Sequence, residues 1–250
     1  MKDELPIIFT TENIKLVMEG LKTETRRPVN PQWLDEEIDP KEHSQAPGYW
    51  IPYEPGPGGR LMNSLKGSRK DDCGIYCPYG TKGGKLYVRE CFVNLTEIRR
   101  SLAAIINQPL FKADHPRGLY DDQGNEVSWK PSIHMPMKFS RTKLEVLFIG
   151  MERAQDITEK GCAAEGINLD NELFPTVNTI DKFKDRFKSL WDSIYAKPRP
   201  RYRTIKGIKG ISHYESFPWN KGTLTNMMHR GKRWDIYGNP WVWVVKFKKI

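Results

Sequence analysis

Apolar and polar positions alternate at two periods along the chain. Pro6-Ile7-Ile8-Phe9-Thr10 is a short apolar run that predicts a buried strand. Beyond it Ile14, Val17, Met18 and Leu21 recur at helical spacing behind Thr11, a residue suited to capping a helix. Gly20 supplies a left-handed residue to end that helix, and Pro28 forbids its continuation, so the residues between are expected on a turn or an extended arm. Leu86 to Phe92 alternates with period two, placing Leu86, Val88 and Glu90 on one face and Tyr87, Arg89 and Cys91 on the other. Leu144 to Ile149 is the clearest strand, and Trp241 to Lys248 predicts a closing one. Thr158 carries the cap signal of a second helix stopped by Gly166. Phe183, Phe187, Leu190, Trp191 and Ile194 form the apolar face of a third that opens at Thr179.

Regular signals fade twice. From Pro28 to Gly84 breakers dominate, with Tyr49, Trp50 and Tyr53 among them, aromatics that pack on a core edge or stack on a base. From Ala196 to Gly231 cations such as Arg199, Arg201, Arg203, Lys209 and Arg230 interleave with Tyr202, His213, Tyr214 and Trp219. That stretch reads as an irregular basic loop or a surface that tracks a nucleic-acid strand. Ser101 to Ile106 adds a helical turn, and Tyr120 to Asn125 reads as the turn of a hairpin. Strands at both ends of the chain can pair and close a small barrel. The expected architecture is one α+β domain over residues 1–250, with irregular inserts near 30–84 and 196–235.

Composition narrows the function. Forty Lys+Arg against 31 Asp+Glu leave a net charge of +9, which suits a polyanionic partner. No apolar run reaches bilayer length and Met1-Lys2-Asp3-Glu4 is unlike a leader, so the cytoplasm is the expected compartment, with no membrane role. Cys73 and Cys77 form a C-x3-C spacing with no second pair; a zinc site would need Cys91, His115 or His134 to complete it, and neither metal nor cofactor is expected. Glu90, sharing a face with apolar neighbours, either finds a partner or stands in water at the end of its strand. Lys22, Thr25, Arg26 and Arg27 offer an amine, a hydroxyl and two guanidiniums within one turn's length, as a candidate site or as a basic helix end that complements the macrodipole.

Gly20, Lys22, Thr25 and Arg27 fit the pattern G-x-K-x-x-T-x-R, the signature of the ASCH family. Together with Cys77-Pro78-Tyr79-Gly80, Leu86 to Glu90, Pro131 to Pro136 and Pro240 to Val244, in that order, it makes the chain resemble phage and prophage ASCH-domain proteins outside the two inserts. The resemblance implies a small PUA-like β-barrel with flanking helices and, if phage-encoded, residence in a bacterial host's cytoplasm. More distantly the chain is similar to the small ASCH amidohydrolase that deacetylates N4-acetylcytidine. That similarity places a catalytic set on Lys22, Thr25 and Glu165, the last in the pattern Thr158-Glu159-Lys160-x-x-x-x-Glu165. Substrate contacts are then expected from Arg26, Arg27, Arg89, Glu90, His134, Ser140 and Arg141. The chain departs from the phage-type pattern at Lys85 and Tyr87, where Asp and Trp are usual, and the inserts have no counterpart in the short enzyme.

A threonine hydroxyl needs a neighbouring base. A lysine serves only if burial lowers its pKa, which an ionised Glu165 would oppose. One of the two accepts the proton while the other orients, or Glu165 activates a water. The implied function is hydrolysis of a modified nucleoside or base of the N4-acylcytidine type. The alternatives are a non-catalytic RNA-binding or nucleic-acid-binding module and a metal-independent ribonuclease using Lys22 with Tyr87 or Ser140. A nucleoside or single-stranded nucleic acid is the expected partner.

Overall fold

Trp241 to Phe247 is apolar at nearly every position, and the fold uses both faces of it. In the computed structural model this segment is β13 (Trp241–Lys249), hydrogen-bonded to β8 (Lys143–Arg153) on one side and to β2 (Glu24–Pro28) on the other, both antiparallel. The sheet continues from β8 to β5 (Lys85–Arg89), antiparallel, and from β5 to β1 (Glu4–Ile8), parallel. Residues 4–29, 60–62, 74–94, 109–168, 179–205, 208–220, 225–229 and 231–250 are described. Tyr49, Trp50, Tyr53, Cys73 and the 101–106 turn lie outside them.

One face of β13 carries Trp241, Trp243, Val245 and Phe247 into a core shared with Ile7, Phe9, Leu86, Val88 and Val146. That core is covered by α1 (Thr11–Met18), which buries Ile14 and Val17. The other face sends Val242 and Val244 against α2 (Glu159–Ala164) and α3 (Thr179–Tyr195), where Ile157, Cys162, Phe187, Trp191 and Phe217 pack. Each of these fully buried aliphatic side chains stabilises the fold by about 1.5–3 kcal/mol relative to exposure.

The expected barrel does not form. The strands at the two ends of the chain are not neighbours: β1 is separated from β13 by β5 and β8, and the sheet, in the order β1-β5-β8-β13-β2, stays open between edges β1 and β2. A guanidinium bridges that gap in place of a backbone ladder, with Arg27 Nη2 donating to the Ile8 carbonyl. Pro28 sits at the end of edge strand β2, where a missing N–H is tolerated.

The basic stretch expected to be irregular is a second sheet of four strands, β9 (Arg199–Ile205), β10 (Ile208–Ser216), β11 (Thr225–His229) and β12 (Lys232–Ile236), in the order β11-β12-β10-β9. Along β9 Arg199, Arg201 and Arg203 alternate with Pro200, Tyr202 and Thr204, a pattern with little apolar content. Arg201 meets Glu215, His213 Nε2 lies 3.0 Å from Glu215, and Arg233 Nε donates to Asp235 at 2.7 Å. Of these, Arg201–Glu215 crosses from β9 to β10, while the other two join residues two apart on one strand; a hydrophobicity count reads such charges as loop. The sheet is tied to α3 where Trp191 Nε1 donates to the Phe217 carbonyl at 2.7 Å. Two-stranded ribbons complete the described architecture: β3 (Arg60–Met62) with β4 (Gly74–Tyr76), and β6 (Phe92–Asn94) with β7 (Pro109–Phe111).

Candidate active site

The two helix ends that build the site close in the same way. After α1, Gly20 takes φ +77°, its N–H reaches the Val17 carbonyl at 3.2 Å, and the Leu21 N–H reaches the Leu16 carbonyl at 2.9 Å. This is a Schellman closure, although Leu21 is 56% exposed and contributes little apolar contact. After α2, Gly166 takes φ +89°, with matching bonds from Gly166 to Ala163 at 2.8 Å and from Ile167 to Cys162 at 3.1 Å. The helices start on threonine caps, Thr10 before α1 and Thr158 before α2. The first cap lies one residue ahead of the expected Thr11.

The chain leaving α1 is pinned to the end of α2 by a bond from the Thr23 N–H to the Ala164 carbonyl at 2.8 Å. This puts the Lys22 amine at the C-terminus of α2, where carbonyls lack intrahelical partners. Lys22 Nζ donates to the Glu165 carbonyl at 2.7 Å and forms an ion pair with the Glu165 carboxylate. Both residues are buried. Burial holds the Lys22 amine below its ordinary value, against the opposing pull of Glu165.

Arg26 has three carboxylates around it. Its Nε donates to Glu152 at 2.6 Å, and its Nη1 lies 3.3 Å from Glu24 and 3.6 Å from Glu165. Gly161 permits this approach, since a Cβ there would stand 2.8 Å from Arg26 Nη2. Arg27 Nη1 reaches the Tyr195 hydroxyl at 3.5 Å, and its guanidinium lies 5.4 Å from the centre of the Phe9 ring.

Lys22, Thr25, Arg26, Arg27 and Glu165 line one cavity of about 340 Å³. Its opposite wall is α3, with Phe187, Trp191 and Tyr195, and Arg199 follows directly from that helix. Thr25 is buried, pairs through its backbone with Val245, and makes no side-chain hydrogen bond to a described residue. The expected turn or arm is therefore an edge strand, and its side chains form a cleft wall.

The other expected contacts stand elsewhere. Glu90 is 1% exposed and takes a bidentate pair from Arg141, Nε to Oε1 at 3.0 Å and Nη2 to Oε2 at 2.8 Å. Arg141 also holds Asp114, and its guanidinium lies 4.2 Å from the centre of the Phe111 ring. Ser140 Oγ is committed to the Val88 and Thr142 carbonyls at 2.9 and 3.0 Å. Arg89 donates to the Ile133 carbonyl at 3.1 Å and to the Tyr87 hydroxyl at 3.0 Å, while His134 is exposed on a 3₁₀ turn. None of Arg89, Glu90, His134, Ser140 and Arg141 lines the cavity. No group of three or more His, Cys, Asp or Glu among the described residues is arranged to hold a metal ion.

Sequence reasoning missed Tyr195, Arg199 and Cys91 as cavity residues. The signal available was weak: Trp191 and Tyr195 lie four residues apart on α3, a spacing equally suited to core packing. No helix among the described residues is long and apolar enough to cross a membrane. No family model, curated protein or solved structure matches the chain.

Proposed function

We propose that the protein is a hydrolase cleaving an amide on a cytidine-type base, with Lys22, Thr25 and Glu165 at its centre. The observation that carries this reading is the buried Lys22–Glu165 pair lining the same cavity as Thr25. The substrate class rests on the sequence resemblance. The chemistry rests on the residue types. In this scheme Thr25 Oγ1 adds to the acyl carbon and its proton passes to Lys22 Nζ, which must first release its own proton, a loss that burial of the amine favours and Glu165 opposes. Glu165 holds that amine in place through its carboxylate and its carbonyl. The developing oxyanion draws on a guanidinium of the cleft, for which Arg27 is suited. Collapse breaks the C–N bond as Lys22 returns the proton to the leaving amine. Water then hydrolyses the Thr25 ester through the same relay, releasing the acid and restoring the hydroxyl.

The ribonuclease alternative has less support, because neither Tyr87 nor Ser140 lines the cavity that holds Lys22. The test is acetate release from N4-acetylcytidine by the purified protein, followed beside N-acetylated amino acids. Turnover confined to the cytidine amide supports the proposal. Absence of turnover on every acylated cytosine compound sinks it.

A further inference from the structure

Charges within the cavity are unevenly compensated. Lys22 and Glu165 neutralise each other, and Arg26 meets Glu152 and Glu24. Arg27 forms no ion pair with a described carboxylate, although Glu165 favours its charge from further off. Its guanidinium is satisfied by a carbonyl, a phenol and the Phe9 ring, and its Nε is buried with no hydrogen-bond partner. Arg199, exposed at the cavity mouth, donates to the Ile194 carbonyl at 2.6 Å and lies 5.9 Å from the centre of the Tyr195 ring. It too meets no carboxylate among the described residues.

The two guanidiniums therefore flank Tyr195 and face one cavity with their charge unbalanced. For Arg27, drawn partly out of water with no ion pair, a bound anion would offset the cost of burying its charge, and exposed Arg199 adds a second cation beside it. Two guanidiniums match a ligand of about two negative charges, the state of a phosphate monoester near neutral pH, better than a singly charged carboxylate. Phe187, Leu190, Trp191 and Ile194 offer apolar wall beside the pair for a ring or sugar.

We propose that Arg27 and Arg199 form a phosphate subsite, so that the cavity takes a nucleotide in preference to a free nucleoside. The phosphate site stands on the charge pattern alone; only the identity of the base rests on the function proposed above.

The test combines melting curves in inorganic phosphate with calorimetric titration of cytidine and cytidine 5′-monophosphate. Phosphate is expected to raise the melting temperature of the wild type saturably. The monophosphate is expected to bind at least about tenfold more tightly than cytidine, the size of one charge-assisted contact. Arg199→Ala should bring that ratio close to one and remove most of the phosphate stabilisation. Lys197→Ala, which changes an exposed cation outside the cavity, should preserve both. Arg27→Gln serves as a second variant, read only if it melts cooperatively. Phosphate protection lost in Arg199→Ala, with neither cytidine compound bound, upholds the subsite and rejects the cytidine reading. Equal affinity for the two compounds, or phosphate stabilisation unaffected by Arg199→Ala, overturns the subsite.

Discussion

Lys22 grips Glu165 at two points, its Nζ donating to the backbone carbonyl at 2.7 Å and pairing with the carboxylate of the same residue. A residue after the first helix thus closes the end of the second, 143 positions away. Fixing the carbonyl and the carboxylate together leaves the lysine amine little rotational freedom, which is what a positioned proton carrier requires.

Removing either member should separate catalysis from stability. Lys22→Met and Glu165→Gln are each expected to lower turnover by about 10²–10⁴-fold. Breaking a buried pair by losing one partner costs about 3–5 kcal/mol. Lys22→Met should fall at the low end, because Arg26, 3.6 Å from Glu165, still faces the carboxylate. The double variant should recover stability in urea unfolding while remaining inactive. Recovery of activity in the double variant would contradict the assigned roles.

Gly166 is a sharper test of the scaffold. Its φ of +89° penalises any side chain, and a Cβ there would lie 2.7 Å from Leu16 Cδ1. Gly166→Ala should cost at least about 1–2 kcal/mol from the backbone conformation alone. It should also lower activity by displacing the neighbouring Glu165. Unchanged melting would show that this turn relaxes freely.

Glu90 and Arg141 should behave in the opposite way. Glu90→Gln leaves Arg141 with Asp114 but weakens a buried bidentate pair, with an expected loss of about 1–3 kcal/mol. Turnover per folded molecule should stay near wild type, because neither residue lines the cavity. A large drop in kcat with an intact melting transition would instead place them in the chemistry.

Alkaline unfolding has a defined sign. Burial pushes the Cys77 thiol from its ordinary 9.0 up to about 12. Above pH 9 the unfolded chain releases a proton that the native thiol retains, so stability present below 9 is lost as pH rises towards 12. Between pH 8 and 10 the wild type should lose about 1.4 kcal/mol more than Cys77→Val. Lys22 acts with the opposite sign. Its amine is held below 10.5, so stability from that group rises with pH between its lowered value and 10.5. Matched urea curves for Cys77→Val, Lys22→Met and wild type at pH 8 and 10 check both directions.

Much of the local structure was legible in the sequence. Gly20 and Gly166 end helices as left-handed glycines, Thr158 caps the second, and strands stand around Leu86, Leu144 and Trp241 where they were expected. Glu90, sharing a face with Leu86 and Val88, was read as either paired or standing in water, and the structure pairs it. That the partner is Arg141, 51 residues on, was not readable, because nothing local aims that guanidinium. Residues 199–236 were misread because charges such as Arg201, Glu215, Arg233 and Asp235 pair with one another on the sheet, and a charge on a strand looks like a charge on a loop until its partner is known.

The sequence alone determined elements that depend on backbone preference and near-neighbour spacing: the Thr158 cap, the glycine stops, and the apolar faces of α1 and α3. Tertiary structure decided which edges meet, that β1 and β2 leave a gap bridged by Arg27, and that Tyr195 and Arg199 border the cleft of Lys22. The division has a physical cause. Local conformation is set by sterics and hydrogen bonds within a few residues, whereas strand pairing, burial of charge and the shape of a cavity depend on groups brought together from distant parts of the chain.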